Sequence, residues 1–425
     1  MTPWTLAIVA ASLLAYASVS RRLAGTMITS AMVFVGIGLV VGPEMLDRLD
    51  APPTGHGVRV LAEATLTLVL FADASRIDLR ALRREYAVPA RLLGIGLPLT
   101  IVVGALAAWA LFPALTFVEA VVLGIMLAPT DAALGQAVVT LPELPSRIRQ
   151  GLNVESGLND GICVPLLLIA LAAAETQADI TTQSHAATVV VEEIGYGILG
   201  GVAAGVLGAA VVVVAGRRKL ISPAWLQITP VAAAALAYGI ANPLGGSGFI
   251  AAFVGGMVFG GLRRRGEGED TFLLDQMGGL LDAVTFLLFG AVLLGPSLGH
   301  VTWQVAVYAV LSLTVVRMAP VGVAMLGTRA RPPTVAFLGW FGPRGLASIV
   351  FAVIVVEEAH LPHTETILVV TYVTVGLSVF LHGLSAAPLA ARYAGWYRSK
   401  PSDHLPPMES VHAPAQRWRS ASSSS

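Results

Sequence analysis

Apolar runs of membrane-spanning length, separated by short polar gaps, set the pattern of this chain. A helix needs about 20 mostly apolar residues to cross the hydrocarbon core of a bilayer. Thirteen stretches approach or reach that length: 3–20, 25–42, 57–75, 88–112, 116–140, 151–174, 188–215, 224–241, 247–262, 271–294, 301–326, 333–356 and 364–390. Polar groups interrupt the fifth and sixth. The pattern predicts an all-α polytopic membrane protein with about 13 transmembrane helices in residues 1–390. Residues 391–425 are polar, hold Pro401, Pro406, Pro407 and Pro414, and end in SASSSS. So few apolar groups cannot offset the entropy of ordering, and a disordered cytoplasmic tail is expected there.

Composition removes the competing classes. Of the 425 residues 56% are hydrophobic and 12% charged, where soluble domains carry about 25% charged residues. Mean hydropathy is +0.77. A soluble fold of this size could not cover its exterior with so few ions, and a disordered chain would be poorer in apolar residues. The 26 Lys and Arg balance the 26 Asp and Glu, so there is no general basic footprint and no nucleic-acid partner is expected. Cys163 is the sole cysteine, which excludes an intrachain disulfide and leaves a packing role.

The placement of the basic residues gives orientation through the positive-inside rule. Alternate gaps hold Arg21/Arg22; Arg76, Arg80, Arg83, Arg84 and Arg91; Arg147/Arg149; Arg217/Arg218/Lys219; Arg263/Arg264/Arg265; and Arg329/Arg331. With the tail, 22 of the 26 fall on one side. Arg48 and Arg59 lie in opposite loops, and Arg317 and Arg344 lie inside spans. An odd number of spans follows, with the N-terminus outside and the tail cytoplasmic, in the plasma (inner) membrane. Arg21 and Arg22 follow the first apolar run, whereas a signal peptide carries its basic residues before it. A retained first helix is expected.

No loop is long enough to fold as a domain, and no phosphate-binding loop of the Walker type occurs. Transport through such a chain draws on an ion gradient or is passive. The chemistry then rests on charges placed where lipid should be, each costing about 2.5–3.5 kcal/mol at a span centre. One cluster is LAPTDAALG in the fifth stretch, with Thr130 and Asp131 after Pro129. A second is GLNVESGLNDGICVP in the sixth, with Glu155, Asn159 and Asp160. A third is GWFGPRGLAS in the twelfth, where Arg344 sits between glycines. Ser156 and Asp160 are four apart and share a helix face; Glu155 and Asn159 share the adjacent one. The first and third clusters share a design of small residue, proline and charge, which breaks a helix and frees backbone groups. Paired broken helices in two halves of a chain point to a secondary transporter with inverted repeats. The repeats would be 3–174 and 224–390, joined by a connector helix at 188–215. Ion pairing alone accounts for part of this charge, as with Glu155 and Arg344. Two further carboxylates remain, and each needs a mobile cation or a proton.

ESGLND at 155–160, PTD at 129–131, YGIANPLGGSGFIAAFVGGMVFG at 238–260, FLLFG at 286–290, GPRG at 342–345 and VGLSVFLHGLSAAPLA at 375–390 occur in a consistent order. Together they resemble the monovalent cation:proton antiporters, in the sodium/proton exchanger branch of NhaP-type proteins and animal sodium/hydrogen exchangers. The resemblance implies a thirteen-helix fold of the NhaA-like antiporter type, with crossed discontinuous helices, a dimerisation domain, a six-helix core and a homodimer. It implies that Asp160 is the essential transport aspartate, preceded by Asn159. Asp131 and Thr130 take the unwound-helix positions, Ser156 is an ion-ligating serine, and Glu155 with Arg344 forms a buried ion pair. Two positions depart from the pattern: Ala132 replaces a usual proline, and Asp282 stands near a usual asparagine.

The chemistry of these residues agrees. A small hard cation takes oxygen ligands, and the Asp160 and Asp131 carboxylates, the Ser156 hydroxyl and the Thr130 carbonyl would supply four. Proton and cation compete for one carboxylate, which is antiport if only the neutralised site can cross. The expected function is exchange of Na+ (or Li+) for H+, with K+/H+ exchange at the same site as the nearest alternative. An organic-anion symporter on a related fold is more remote. A passive channel is disfavoured because a carboxylate trap binds too tightly for fast conduction. No HExxH or Gly-x-Ser-x-Gly motif supports an enzyme. The partners are therefore the lipid bilayer, a monovalent cation and a proton, with no cofactor. Electrogenic relatives carry a second aspartate at the place of Asn159, so 1:1 electroneutral exchange is expected. Gly197, Gly201 and Gly205 read as a packing stripe, and EEAHLPH at 357–363 as a solvated loop ahead of a metal or pH sensor. His382 reads as a satisfied packing residue. Arg317 is a candidate anchor near Asp282, and Glu63 and Asp73 flank the water interface or line a funnel.

Overall fold

The computed structural model describes residues 3–23, 26–46, 56–77, 87–131, 134, 141, 143–176, 183–263, 271–358 and 361–399. Arg48, Arg80, Arg83, Arg84, Ala132, Arg264, Arg265, His360 and the tail from residue 400 lie outside them. The regular structure among the described residues is helical. Eight of the helices are long and apolar enough to cross a membrane.

The elements are α1 (Pro3–Leu23), α2 (Ser30–Val41), α3 (His56–Ser75), α4 (Ala87–Leu111), α5 (Phe117–Met126), α6 (Ser146–Thr176) and α7 (Gln183–Ala210). They continue with α8 (Pro223–Ala241), α9 (Gly248–Leu262), α10 (Phe272–Leu298), α11 (Trp303–Ala324), α12 (Pro332–Trp340), α13 (Leu346–Glu358) and α14 (Thr364–Arg398). Four apolar helices are shorter than a span, including α5 and most of α13. α5 and α13 are short because the chain leaves the helix ahead of Pro129 and around Pro343, where a proline removes a donor and its ring crowds the preceding turn. Side-chain caps fix other starts: Thr116 and Glu119 form a reciprocal capping box on α5. α14 runs to Arg398, beyond the boundary at 390 drawn from hydropathy.

Packing places α3, α6 and α9 around one region. α7 lies along α9 through the glycine stripe. A Cβ on Gly201 would stand 2.5 Å from the Ala251 carbonyl oxygen and 3.0 Å from the Gly255 nitrogen, so this seam requires residues without side chains. The opposite side of α9 meets α3 at Phe71. α3 in turn packs on α10, where the Thr65 and Thr285 hydroxyls are 3.2 Å apart and Val69 faces Gly278. α11 is broken at Thr314 (φ −113°, ψ −90°), which re-aims the piece carrying Arg317 toward the interior. Outward-facing apolar side chains such as Trp4, Leu14, Leu199 and Trp303 remain exposed, as expected of surfaces that face lipid.

Candidate functional site

Two unwound segments meet in the interior. α5 ends before Leu127, its last turn closes at Ala128, and residues 129–131 lie outside any helix; α12 ends at Trp340, and residues 341–345 separate it from α13. The Asp131 N–H donates to the Pro343 carbonyl at 2.8 Å. The Asp131 carboxylate accepts from the Leu346 N–H at 3.1 Å and so caps the start of α13. Arg344 works in the opposite sense: its Nη1 donates to the Ala128 and Pro129 carbonyls at 2.8 and 3.1 Å, capping the end of α5. Each helix end thus faces the charge that its dipole favours, negative at the N-terminus and positive at the C-terminus. Ser348 adds a bond to the Met126 carbonyl at 2.7 Å. The glycines flanking Arg344 are sterically required. A Cβ on Gly345 would overlap the Asp131 carboxylate, and one on Gly342 the Arg317 guanidinium.

α6 presents the third component. The Ser156 hydroxyl donates to the Thr130 carbonyl at 2.6 Å, and the Asn159 amide donates to the Thr130 hydroxyl at 2.8 Å. One turn along the Ser156 face, Asp160 is 8% exposed, and its Oδ1 has no hydrogen-bond partner among the described residues. The charges of Asp131 and Asp73 act on it. Thr130, Asp131, Ser156, Asn159 and Asp160 therefore form one oxygen-rich site. Asp282 lies on the α10 face that meets α3, between Gly278 and Thr285, where the charges of Asp131 and Asp73 reach it.

The ion pair differs from the expected one. Glu155 does not pair with Arg344; it accepts two bonds from Arg317, at 2.6 and 2.9 Å, with both side chains 2% exposed. Two physical reasons account for the exchange. The break in α11 aims Arg317 at the Glu155 face of α6, and the loose carbonyls at the end of α5 hold Arg344. Arg317 is accordingly not an anchor for Asp282.

A sequence model for the family described as "Sodium/hydrogen exchanger, transmembrane" matches residues 8–392. The chain belongs to this family. It is a family of membrane transporters and not of enzymes. A Na(+)/H(+) antiporter NhaP from Pseudomonas aeruginosa is 30% identical over 376 residues, covering 83% of this chain and 84% of that protein. A K(+)/H(+) antiporter NhaP from Alkalimonas amylolytica is 27% identical over 371 residues, covering 84% of this chain. This chain spans 61% of that relative's length. Among solved structures, the sodium proton antiporter MjNhaP1 from Methanocaldococcus jannaschii superposes with a TM-score of 0.70 at 19% identity, covering 89% of this chain and 98% of that one. The chain therefore has an NhaP-type all-helical fold.

Other residues singled out in the sequence have definite partners in this exchanger-family protein. Asp73, for which the sequence offered the water interface or a funnel lining, packs against α6, where a Cβ on Gly157 would lie 3.4 Å from its own Cβ. It lines a cleft with Arg76, Ile77, Asn153 and Val154. Arg76 stands 3.7 Å from Asp73 and forms an ion pair with Asp275. The available signal was an acidic residue one helical turn before an arginine in FADASR. Glu63 instead binds Arg59 at 2.8 Å and the Tyr238 hydroxyl at 3.0 Å. In the loop before α14, His363 joins no metal-type cluster among the described residues. Its N–H and Nδ1 lie 2.9 and 3.1 Å from the carboxylate of buried Glu119.

Proposed function

We propose that this chain exchanges Na+ or Li+ for H+ across the plasma membrane, one for one, by competition of cation and proton at Asp160. The observation that carries the reading is a buried carboxylate with an unpartnered oxygen, set beside the Thr130, Asp131 and Ser156 oxygens at the crossing of two broken helices. Ser156 gives its proton to Thr130, so its oxygen faces any further partner as an acceptor or cation ligand. Hard monovalent cations take such oxygen sets. A cation or a proton neutralises Asp160, and a neutral site crosses the apolar interior at lower cost than a bare charge. Exchange follows when only the neutralised site reorients. Glu155 and Arg317 neutralise each other, and Asn159 cannot titrate, which supports the 1:1 ratio.

In the same reading, the helices form thirteen spans, with α12 and α13 together as one broken span. Residues 3–174 and 224–390 form inverted repeats around the connector at 188–215, the N-terminus lies outside, the C-terminus lies in the cytoplasm, and the chain assembles as a homodimer. The basic residues at alternate loops support the orientation. K+/H+ exchange at the same site is the second reading, favoured by relatives named K(+)/H(+) antiporters. The test is cation-dependent dissipation of a pH gradient in proteoliposomes, with membrane potential clamped, for wild type and Asp160→Asn. Dissipation by Na+ or Li+ that vanishes in the variant is expected. A response to K+ alone selects the second reading. No cation dependence in folded wild type overturns both, and flux driven by an imposed potential under zero chemical gradients overturns the ratio.

A further inference from the structure

α14 is an apolar helix with a polar line on one face. Ser378, His382 and Ser385 stand at positions i, i+4 and i+7, so they share one side. All three bond to the broken element formed by α12 and α13. The Arg344 N–H donates to Ser378 Oγ at 2.7 Å. His382 Nε2 lies 3.0 Å from the Trp340 carbonyl, and its Nδ1 lies 3.1 Å from both the Oγ and the carbonyl oxygen of Ser378. The Trp340 indole N–H donates to Ser385 Oγ at 3.0 Å. The Trp340 and Ser378 carbonyls can only accept and a neutral ring carries one proton; placed on Nε2 it bonds the Trp340 carbonyl and leaves Nδ1 as an acceptor. Nδ1 then accepts from the Ser378 hydroxyl, whose oxygen accepts from Arg344. One neutral imidazole, 1% exposed, closes this circuit.

We infer that His382 is a positioning residue for the cation site, holding the unwound segment 340–344 at both ends through the Trp340 carbonyl and the Ser378–Arg344 bond. This inference rests on the transport reading above. The segment sets the site because Arg344 grips the Ala128 and Pro129 carbonyls and the Pro343 carbonyl receives the Asp131 N–H. A shift of residues 340–344 displaces Thr130 and Asp131 relative to Asp160. A space-filling role alone would need the ring and not its two nitrogens, and an apolar side chain would serve it better in this surround.

The two nitrogens are separated by amide variants. His382→Gln places an N–H near the Nε2 position, His382→Asn places its amide near Nδ1, and His382→Leu removes both. Cation dependence of proton flux in proteoliposomes should show apparent KM raised about tenfold in His382→Leu. That is the factor for one buried hydrogen bond worth about 1.4 kcal/mol. Maximal rate should change less. His382→Gln should return to within about threefold of wild type, and His382→Asn should stay near the leucine variant. Hydrogen exchange of the 341–346 amides reads the clamp without any transport: faster by about tenfold in the leucine variant and restored by glutamine. Should His382→Leu fail to fold, Ser378→Ala carries the test, since it removes the Arg344 acceptor and should raise KM in the same way. An unchanged KM and unchanged exchange in His382→Leu overturn the inference, as does a glutamine variant no better than leucine. Absent flux in wild type overturns the transport reading alone, because the exchange measurement still decides the clamp.

Discussion

Exchange of the ion-pair partner has a measurable consequence at Glu155. Its carboxylate accepts two charge-assisted bonds from Arg317, at 2.6 and 2.9 Å, with both groups 2% exposed. Removing one member of a buried pair leaves an uncompensated charge and costs about 3–5 kcal/mol. Arg317→Met is expected to lose that amount. Arg344 is held elsewhere, with its Nη1 engaged by the Ala128 and Pro129 carbonyls. Arg344→Met is also destabilising, so single variants do not discriminate; coupling does. A double-mutant cycle of Glu155→Gln with Arg317→Met should give an interaction energy of about 2–3 kcal/mol, the upper range for residues in direct contact. The cycle of Glu155→Gln with Arg344→Met should give less than about 1 kcal/mol, since the two side chains share no hydrogen bond. Unfolding free energies in mixed micelles supply all the terms. Stronger coupling to Arg344 than to Arg317 would refute the assignment of the pair.

Three further outcomes are expected. Gly345→Ala forces a methyl group into the Asp131 carboxylate; transport in proteoliposomes should fall more than about tenfold, the scale of a misplacement near 1 Å, with folding retained by size-exclusion profile. Asp131→Asn keeps an acceptor for the Leu346 N–H but removes the charge, so thermal stability should change by less than about 1 kcal/mol while apparent cation affinity falls. Gly201→Val pushes α7 off α9 at a contact that admits no side chain. It should cost at least about 1–3 kcal/mol as overpacking, read as a lower melting temperature in detergent.

Much of the site was legible because membrane burial makes charge conspicuous. Thr130 and Asp131 followed a proline, Arg344 stood between glycines, and Ser156 and Asp160 shared a helix face. The structure joins Thr130 to Ser156 and Asn159, and the Asp131 backbone to Pro343. What could not be read was set by distant contacts. The sequence reading paired Glu155 with Arg344; the pairing with Arg317 depended on the break at Thr314, which no proline or glycine marks. For Asp73, near the end of α3, the sequence offered both the water interface and a funnel lining, and only its packing against α6 places it in a cleft. The Ser378–His382–Ser385 line was visible as spacing, yet its meaning needed the unwound chain opposite. The fold followed the apolar runs except where helices ended early, and there Pro129 and Pro343 were the signals.

The crossing of the two unwound segments also limits how such a protein can diverge. Asp131 and Arg344 each cap the other segment's helix, and a Cβ on Gly342 or Gly345 would overlap Arg317 or Asp131, so a larger side chain at either glycine disturbs the crossing. Adaptation to a new cation is thereby directed to charged neighbours outside the crossing, Asp73 on α3 and Asp282 on α10, whose charges reach the site. A lineage can drift at those positions while the frame stays fixed.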